Sequence, residues 1–230
     1  MNSEKRALVV EGGAMRSIFS TGVLDVFIKN NYYNFDICIG VSAGSTALAT
    51  YLAGMYGRNS RVTIDYSTRK DFISVRNYLK GGHFMNLDWL WDYCETYDAL
   101  DIETALNRGI DFYVGVTSVE TGKSEYIQPT IENAVPLLMA SCAMPIAYRN
   151  PVKVDNKLYV DGGIADPIPI EEAIKRGAKE IVVIRSRKKE FIMESKKNQI
   201  KNLMLRKYPM VKKAVNQRPN LSWFCGQGLH

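Results

Sequence analysis

The sequence predicts an α/β fold, a parallel central sheet covered by helices. Two observations carry that prediction. The apolar runs Ala7–Val10 and Phe35–Ile39 each lead through a glycine-bearing turn into a helical stretch, and this strand–loop–helix order belongs to parallel strands joined by helical crossovers. The second turn reads Gly40-Val41-Ser42-Ala43-Gly44, a G-x-S-x-G in the strand-to-helix setting that a nucleophile elbow requires. Gly40 and Gly44 remove Cβ atoms that would clash where strand and helix approach. Ser42 then stands at a helix N-terminus, where unpaired N–H groups favour developing negative charge. By itself the pentapeptide also reads as a plain βα turn with Ser42 as N-cap.

Each element follows in order. Ala7–Val10 is a short buried strand, and Glu11 to Arg16 is the loop after it. A helix is expected from about Ile18 to Asn30, with Val23, Leu24, Val26, Phe27 and Ile28 on a broad apolar face. The Ala/Leu-rich stretch from Ser45 is the helix after the elbow, and Asn59 to Lys80 reads as two short helices. His83 to Tyr97 is the most aromatic part of the chain, and Asp101 to Gly109 is a short helix with an acidic start and a glycine stop. Asp111 to Thr117 is a strand, returning as Glu125 to Gln128 after a turn at Glu120–Lys123. Ile131 to Cys142 is helical, with Pro136 early enough to be tolerated. Pro151 to Val160 is a second hairpin, turning at Asp155-Asn156 and delivering Asp161-Gly162-Gly163. Pro167 to Arg176 is a helix stopped by Gly177, Glu180 to Arg185 a strand, and Arg187 to about Val215 a basic helix.

Composition narrows the class. At 230 residues, 46% hydrophobic and 23% charged, the chain can build one sizeable core without disulfides or a metal. The net charge of +6 is unevenly spread: residues 186–230 hold 11 Lys/Arg against 2 Asp/Glu, and the rest is mildly acidic. A nucleic-acid-binding surface is therefore not expected. Cys38, Cys94, Cys142 and Cys225 are far apart and lack metal-ligand spacing, as expected of free thiols in a reducing compartment. Only four apolar residues lie between Arg6 and Glu11, so no signal peptide is expected. No apolar stretch is long enough to span a bilayer.

A serine nucleophile needs a base and an oxyanion hole. The two histidines fit poorly. His230 is terminal, and His83 lies beside Gly81-Gly82 in a loop, where a lone histidine is more often a solvated polar residue. A carboxylate can serve instead when its surroundings suit proton acceptance. Asp161, at a strand end before Gly162-Gly163, is the best candidate, although in isolation it also reads as an Asx cap of its own turn. Gly12-Gly13-Ala14 supplies successive backbone N–H groups suited to an oxyanion or a phosphate, although the loop lacks the G-x-G-x-x-G and GK(S/T) patterns of nucleotide sites.

Three motifs in order, Glu11-Gly12-Gly13-Ala14-Met15-Arg16, Gly40 to Gly44 and Asp161-Gly162-Gly163, resemble the patatin-like phospholipase family over about residues 7–185. The resemblance implies a three-layer α/β/α sandwich with a mainly parallel sheet, and a Ser-Asp dyad that hydrolyses acyl esters of lipids without metal or cofactor. It implies Ser42 as nucleophile, Asp161 as base, and Gly12, Gly13 and Ala14 as oxyanion hole. Arg16, Gly40, Gly44, Gly162 and Gly163 are then supporting residues. The family's loop commonly reads D-G-G-G-x-R-G; Glu11, Ala14 and Ser17 depart from it. At Ala14 a glycine can adopt dihedrals closed to alanine. The same dyad also serves thioester hydrolysis or acyl transfer, and a non-catalytic descendant that binds a lipid or a partner is the third reading.

The division expected is a catalytic domain at 1–186 and a basic helical segment at 187–230 that ends as a truncated chain would. The protein is expected in the cytoplasm or at the membrane periphery. Residues 187–213 are the candidate contact with anionic lipid, against a helix docked on the domain with a solvated basic face. The aromatic run from Phe84 to Tyr97 is expected to pack into the core rather than to form a lid or acyl-chain wall.

Overall fold

The computed structural model describes residues 4–187 and 205–217. Seven strands form one sheet: β1 Lys5–Val10, β2 Ile37–Val41, β3 Asp111–Ser118, β4 Ser124–Ile127, β5 Val152–Val154, β6 Lys157–Asp161 and β7 Ala178–Ile184. The path through it is β5-β6-β3-β2-β1-β7, with β4 paired to β3. The pairs β7–β1, β1–β2 and β2–β3 are parallel, whereas β4, β5 and β6 join antiparallel. The sheet is thus mixed, because both hairpins read from the sequence add to its parallel part.

Alternation along the strands sorts the core onto two faces. Leu8, Val10, Cys38, Val114 and Val116 face one way, packing with Leu24 of helix α1 (Ile18–Lys29), Leu48 and Leu52 of α2 (Ala43–Leu52) and the apolar α7 (Ala134–Cys142). Ala7, Val9, Ile37 and Ile39 face the other way against Ala173 of α8 (Ile170–Lys175). Between α2 and β3 lie α3 (Arg58–Arg61), a π-helical turn over Val62–Tyr66, α4 (Val75–Leu79), α5 (Leu87–Tyr97) and α6 (Ile102–Leu106).

Several boundaries move from expectation for physical reasons. Helix α2 starts at Ala43 directly after the elbow, and α8 starts at Ile170 because Pro167 and Pro169 hold the chain out of the helix. The turn of the second hairpin has Asp155 and Asn156 both at positive φ, 46° and 68°, as a two-residue hairpin turn demands. The basic helix expected over 187–215 is interrupted where it is described: a 3-10 turn at Leu205–Lys207 precedes α9 (Pro209–Gln217). Leu205 and Val211 are buried against Val160 and Ile164, so this part is docked on the domain. Residues 188–204, with Phe191, Ile192, Leu203 and Met204, and the last 13 residues, with Cys225 and His230, lie outside the described residues.

The feature that positions the site is β3. Its residues Asp111–Gly115 pair with β2, and Val116–Ser118 pair with β6. Strand β4 pairs with Val114–Thr117 and so occupies the opposite edge. Strands β2 and β6 therefore approach head to head along one edge of β3. Their last residues, Val41 and Asp161, lie opposite the neighbours Gly115 and Val116.

Candidate active site

The head-to-head strand ends bring Ser42 onto Asp161. The Ser42 Oγ donates to Asp161 Oδ2 at 2.8 Å. Ser42 has φ 53° and ψ −133°, a region that costs a non-glycine residue about 1–3 kcal/mol. It is the N-cap residue of α2, but its side chain makes no capping bond. The elbow closes because two glycines lack side chains. A Cβ on Gly40 would lie 2.6 Å from Ser45 Cα, and one on Gly44 would lie 2.5 Å from Val10 O. Gly44 thus packs against the end of β1 rather than against its own strand.

Asp161 is 3% exposed and held from several sides. Its Oδ1 accepts from the Gly163 N–H at 2.8 Å, its own N–H donates to Ala143 O at 3.0 Å, and its carbonyl accepts from Thr117 Oγ1 at 2.9 Å. The Asx cap and the contact with Ser42 coexist, one on each carboxylate oxygen. Gly162 permits the approach: a Cβ there would meet Gly115 O at 2.1 Å.

The loop after β1 lies across the elbow. A Cβ on Gly12 would sit 2.8 Å from Ser42 Cβ, and one on Gly13 would sit 2.7 Å from Ser186 Oγ. Ala14 has φ 48°, the left-handed region. The N–H groups of Gly12, Gly13 and Ala14 have no acceptor among the described residues. Buried Glu11 anchors the loop, accepting from the Ser186 N–H at 2.7 Å. Arg16 contributes a backbone bond, its N–H donating to Gly13 O at 3.1 Å, while the residue itself is exposed.

Sequence reasoning missed several of these parts. Ser141 Oγ accepts from the Ser42 N–H at 2.8 Å and donates to Gly115 O at 2.7 Å, bridging elbow and β3. The available signal was a lone serine inside an apolar helix. Cys142 beside it has its thiol pushed up by burial and next by Asp161, with a Ser42 hydrogen bond opposing. It stays protonated at neutral pH. His83 is elsewhere: its ring stacks on Tyr148 at 4.1 Å and its Nδ1 accepts from the Arg149 N–H.

Ser42 and Asp161 open into a cavity of about 410 Å³, within the range of small-ligand sites. Leu87, Leu90, Trp91 and Cys94 of α5 line it, together with Phe72, Met85 and Val62. The aromatic run thus serves both expectations, since Trp89, Leu90 and Trp91 also pack against buried clusters. One face of α5 is a cavity wall, and Trp89, Tyr93 and Tyr97 stack in a row on another. Among the described residues no group of His, Cys, Asp and Glu is arranged to hold a metal, and no helix is long and apolar enough to cross a membrane.

The family model described as patatin-like phospholipase matches residues 8–174. The chain is 36% identical over 183 residues to the uncharacterized protein YjjU of Escherichia coli strain K12, covering 78% of this chain and 51% of that protein. It is 22% identical over 200 residues to the lysophospholipase NTE1 of Debaryomyces hansenii, covering 80% of this chain and 12% of that protein. NTE1 of Meyerozyma guilliermondii gives 23% over 199 residues, with 80% and 13% covered. The chain thus spans about half of the first of these relatives and far less of the other two. Among solved structures, VipD from Legionella pneumophila aligns with a TM-score of 0.45 at 16% identity, covering 79% of this chain and 49% of that one.

Proposed function

This chain belongs to the patatin-like phospholipase family, and from that premise we propose that it is a serine acyl hydrolase cleaving carboxylic esters of lipids through Ser42 and Asp161. The observation that carries the reading is the 2.8 Å bond from Ser42 Oγ to Asp161 Oδ2 on a strained elbow. Ser42 Oγ attacks the acyl carbonyl carbon as its proton passes to Asp161 Oδ2. The carbonyl oxygen becomes an oxyanion facing the N–H groups of Gly12, Gly13 and Ala14 and the N-terminus of α2. Collapse breaks the ester C–O bond. The leaving alcohol takes the proton from Asp161, and an acyl-Ser42 remains. A water gives a proton to Asp161 and attacks the acyl carbon, and the acid leaves as Ser42 recovers its proton.

Intact-mass measurement after exposure to a fluorophosphonate tests this. The parent chain gains one adduct, Ser42→Ala gains none, and Asp161→Asn gains it far more slowly. A folded parent chain that takes no label overturns the reading.

The proposal extends to peripheral contact with anionic lipid. Its support is the charge of residues 186–230 and the exposed Met15, Ile18 and Phe19 beside the loop at the cavity. Co-sedimentation with phosphatidylglycerol vesicles should weaken on Phe19→Ser and in high salt. Binding indifferent to both sinks this extension.

A further inference from the structure

The cavity lining is of two kinds. Beside the apolar residues stand Thr46, Asn59, Thr63, Ser67 and Arg58. Arg58 is only 4% exposed. Its Nε donates to Asp98 O at 2.8 Å and its Nη1 to Thr50 Oγ1 at 3.4 Å. A guanidinium carries five N–H groups, so three lack an acceptor among the described residues. Its charge is also poorly matched. The Asp98 carboxylate is 3.9 Å from Arg58 Nε but pairs with Arg61 through two 3.0 Å bonds. Two arginines thus share one carboxylate, with Glu95 exposed nearby. Burial is the main influence on Arg58 and opposes its charge, yet an arginine remains protonated. An anion entering the cavity beside it would relieve that imbalance. The π-helical turn Val62–Tyr66 directly follows α3, the helix of Arg58, and such turns collect at functional sites.

Distance limits what an anion at Arg58 could belong to. Thr50 lies eight residues along α2 from Ser42, roughly 12 Å at the helical rise. An extended chain advances about 1.2 Å per bond, so roughly ten bonds separate the two ends. A glycerolipid phosphate is only a few bonds from its ester and cannot reach from one to the other. Resting on the acyl-hydrolase reading, we propose that Arg58 is an anion-recognising residue at the far end of the acyl pocket. The preferred acyl group ends in a carboxylate roughly ten bonds from the scissile carbonyl.

The test compares p-nitrophenyl decanoate with the mono-p-nitrophenyl ester of dodecanedioic acid. The carboxylate-tipped ester should have the higher kcat/KM, by about 10–100-fold, the worth of a charged hydrogen bond. Arg58→Met should erase that preference, leaving the two esters with similar kcat/KM, and Arg58→Lys should retain part of it. A second measurement needs no change at Arg58. Calorimetry on Ser42→Ala should show monomethyl dodecanedioate binding at least about tenfold tighter than the dimethyl ester. Equal binding overturns the proposal. So does competitive inhibition by free decanoate that Arg58→Met abolishes without any preference within the ester pair. That result assigns Arg58 to a reversed fatty acid. Failure of Ser42 to take a fluorophosphonate sinks the hydrolase reading alone, because the calorimetry involves no chemistry.

Discussion

Ala14 and Ser42 both hold positive φ at the site, 48° and 53°, and for Ala14 the strain has a simple remedy. The left-handed region costs an alanine about 1–2 kcal/mol, partly offset by the chain entropy that a glycine adds to the unfolded state. Ala14→Gly should therefore unfold later in urea by about 0.5–1 kcal/mol, with fluorophosphonate labelling unchanged. Ala14→Val, β-branched at a positive φ, should instead disturb the N–H array and slow labelling by about 10². His83 makes a prediction of a different kind. Burial, aided by Arg149 and opposed by Asp88, holds its imidazole below the usual value of 6.5. Its Nδ1 accepts from the Arg149 N–H, which only the neutral ring can do. As pH falls past 6.5 the unfolded chain takes the proton first. The contribution of His83 is thus full above that pH and is lost as pH falls through the lower folded-state value. Urea midpoints between pH 7.5 and 5 should drop less steeply in His83→Asn than in the parent chain.

At the scale of elements, glycines divide into those that strands and helices need and those they merely tolerate. Gly162→Ala would place a methyl group 2.1 Å from Gly115 O and push β6 off β3. A loss of at least about 3 kcal/mol is expected, together with the labelling of Ser42. Gly22, inside α1, has nothing within 4 Å of an added Cβ. Gly22→Ala should stabilise by about 0.5–1 kcal/mol, read from the same urea curves. Local signals made most elements legible, such as the apolar runs of β1 and β2, the turn at Asp155-Asn156 and the acidic start of α6, where Asp101 accepts from Thr104 N–H. The elbow and the D-G-G turn were readable as motifs because their glycines answer to close backbone approaches. The role of α5 was not readable. Its aromatic composition is the same whether Trp91 faces a core or a cavity, and only the position of α2 and α7 decides that. Ser141 and Arg58 escaped for a related reason: their partners, Gly115 and Asp98, are 26 and 40 residues away.

Over the whole molecule, the basic end of the chain is partly integrated into the domain. Leu205 and Val211 are buried on Val160 and Ile164, next to Asp161. A chain ending at Arg187 should lose about 1.5–3 kcal/mol for each of these side chains. A lowered urea midpoint checks this, and an unchanged one would mean that the contact adds nothing. The charge imbalance was visible in composition alone, but that part of this segment is a docked helix was not, since burial there depends on a surface assembled from β6 and the turn after it. The meeting of β2 and β6 on one edge of β3 has a consequence in time. Ser42 and Asp161 are 119 residues apart. On a ribosome adding about 5–20 residues per second, the serine waits roughly 6–24 s for its partner to be made. Throughout that interval a nascent chain carries the elbow without the carboxylate. On the mechanism proposed, the chain cannot cut an ester until Asp161 has been synthesised.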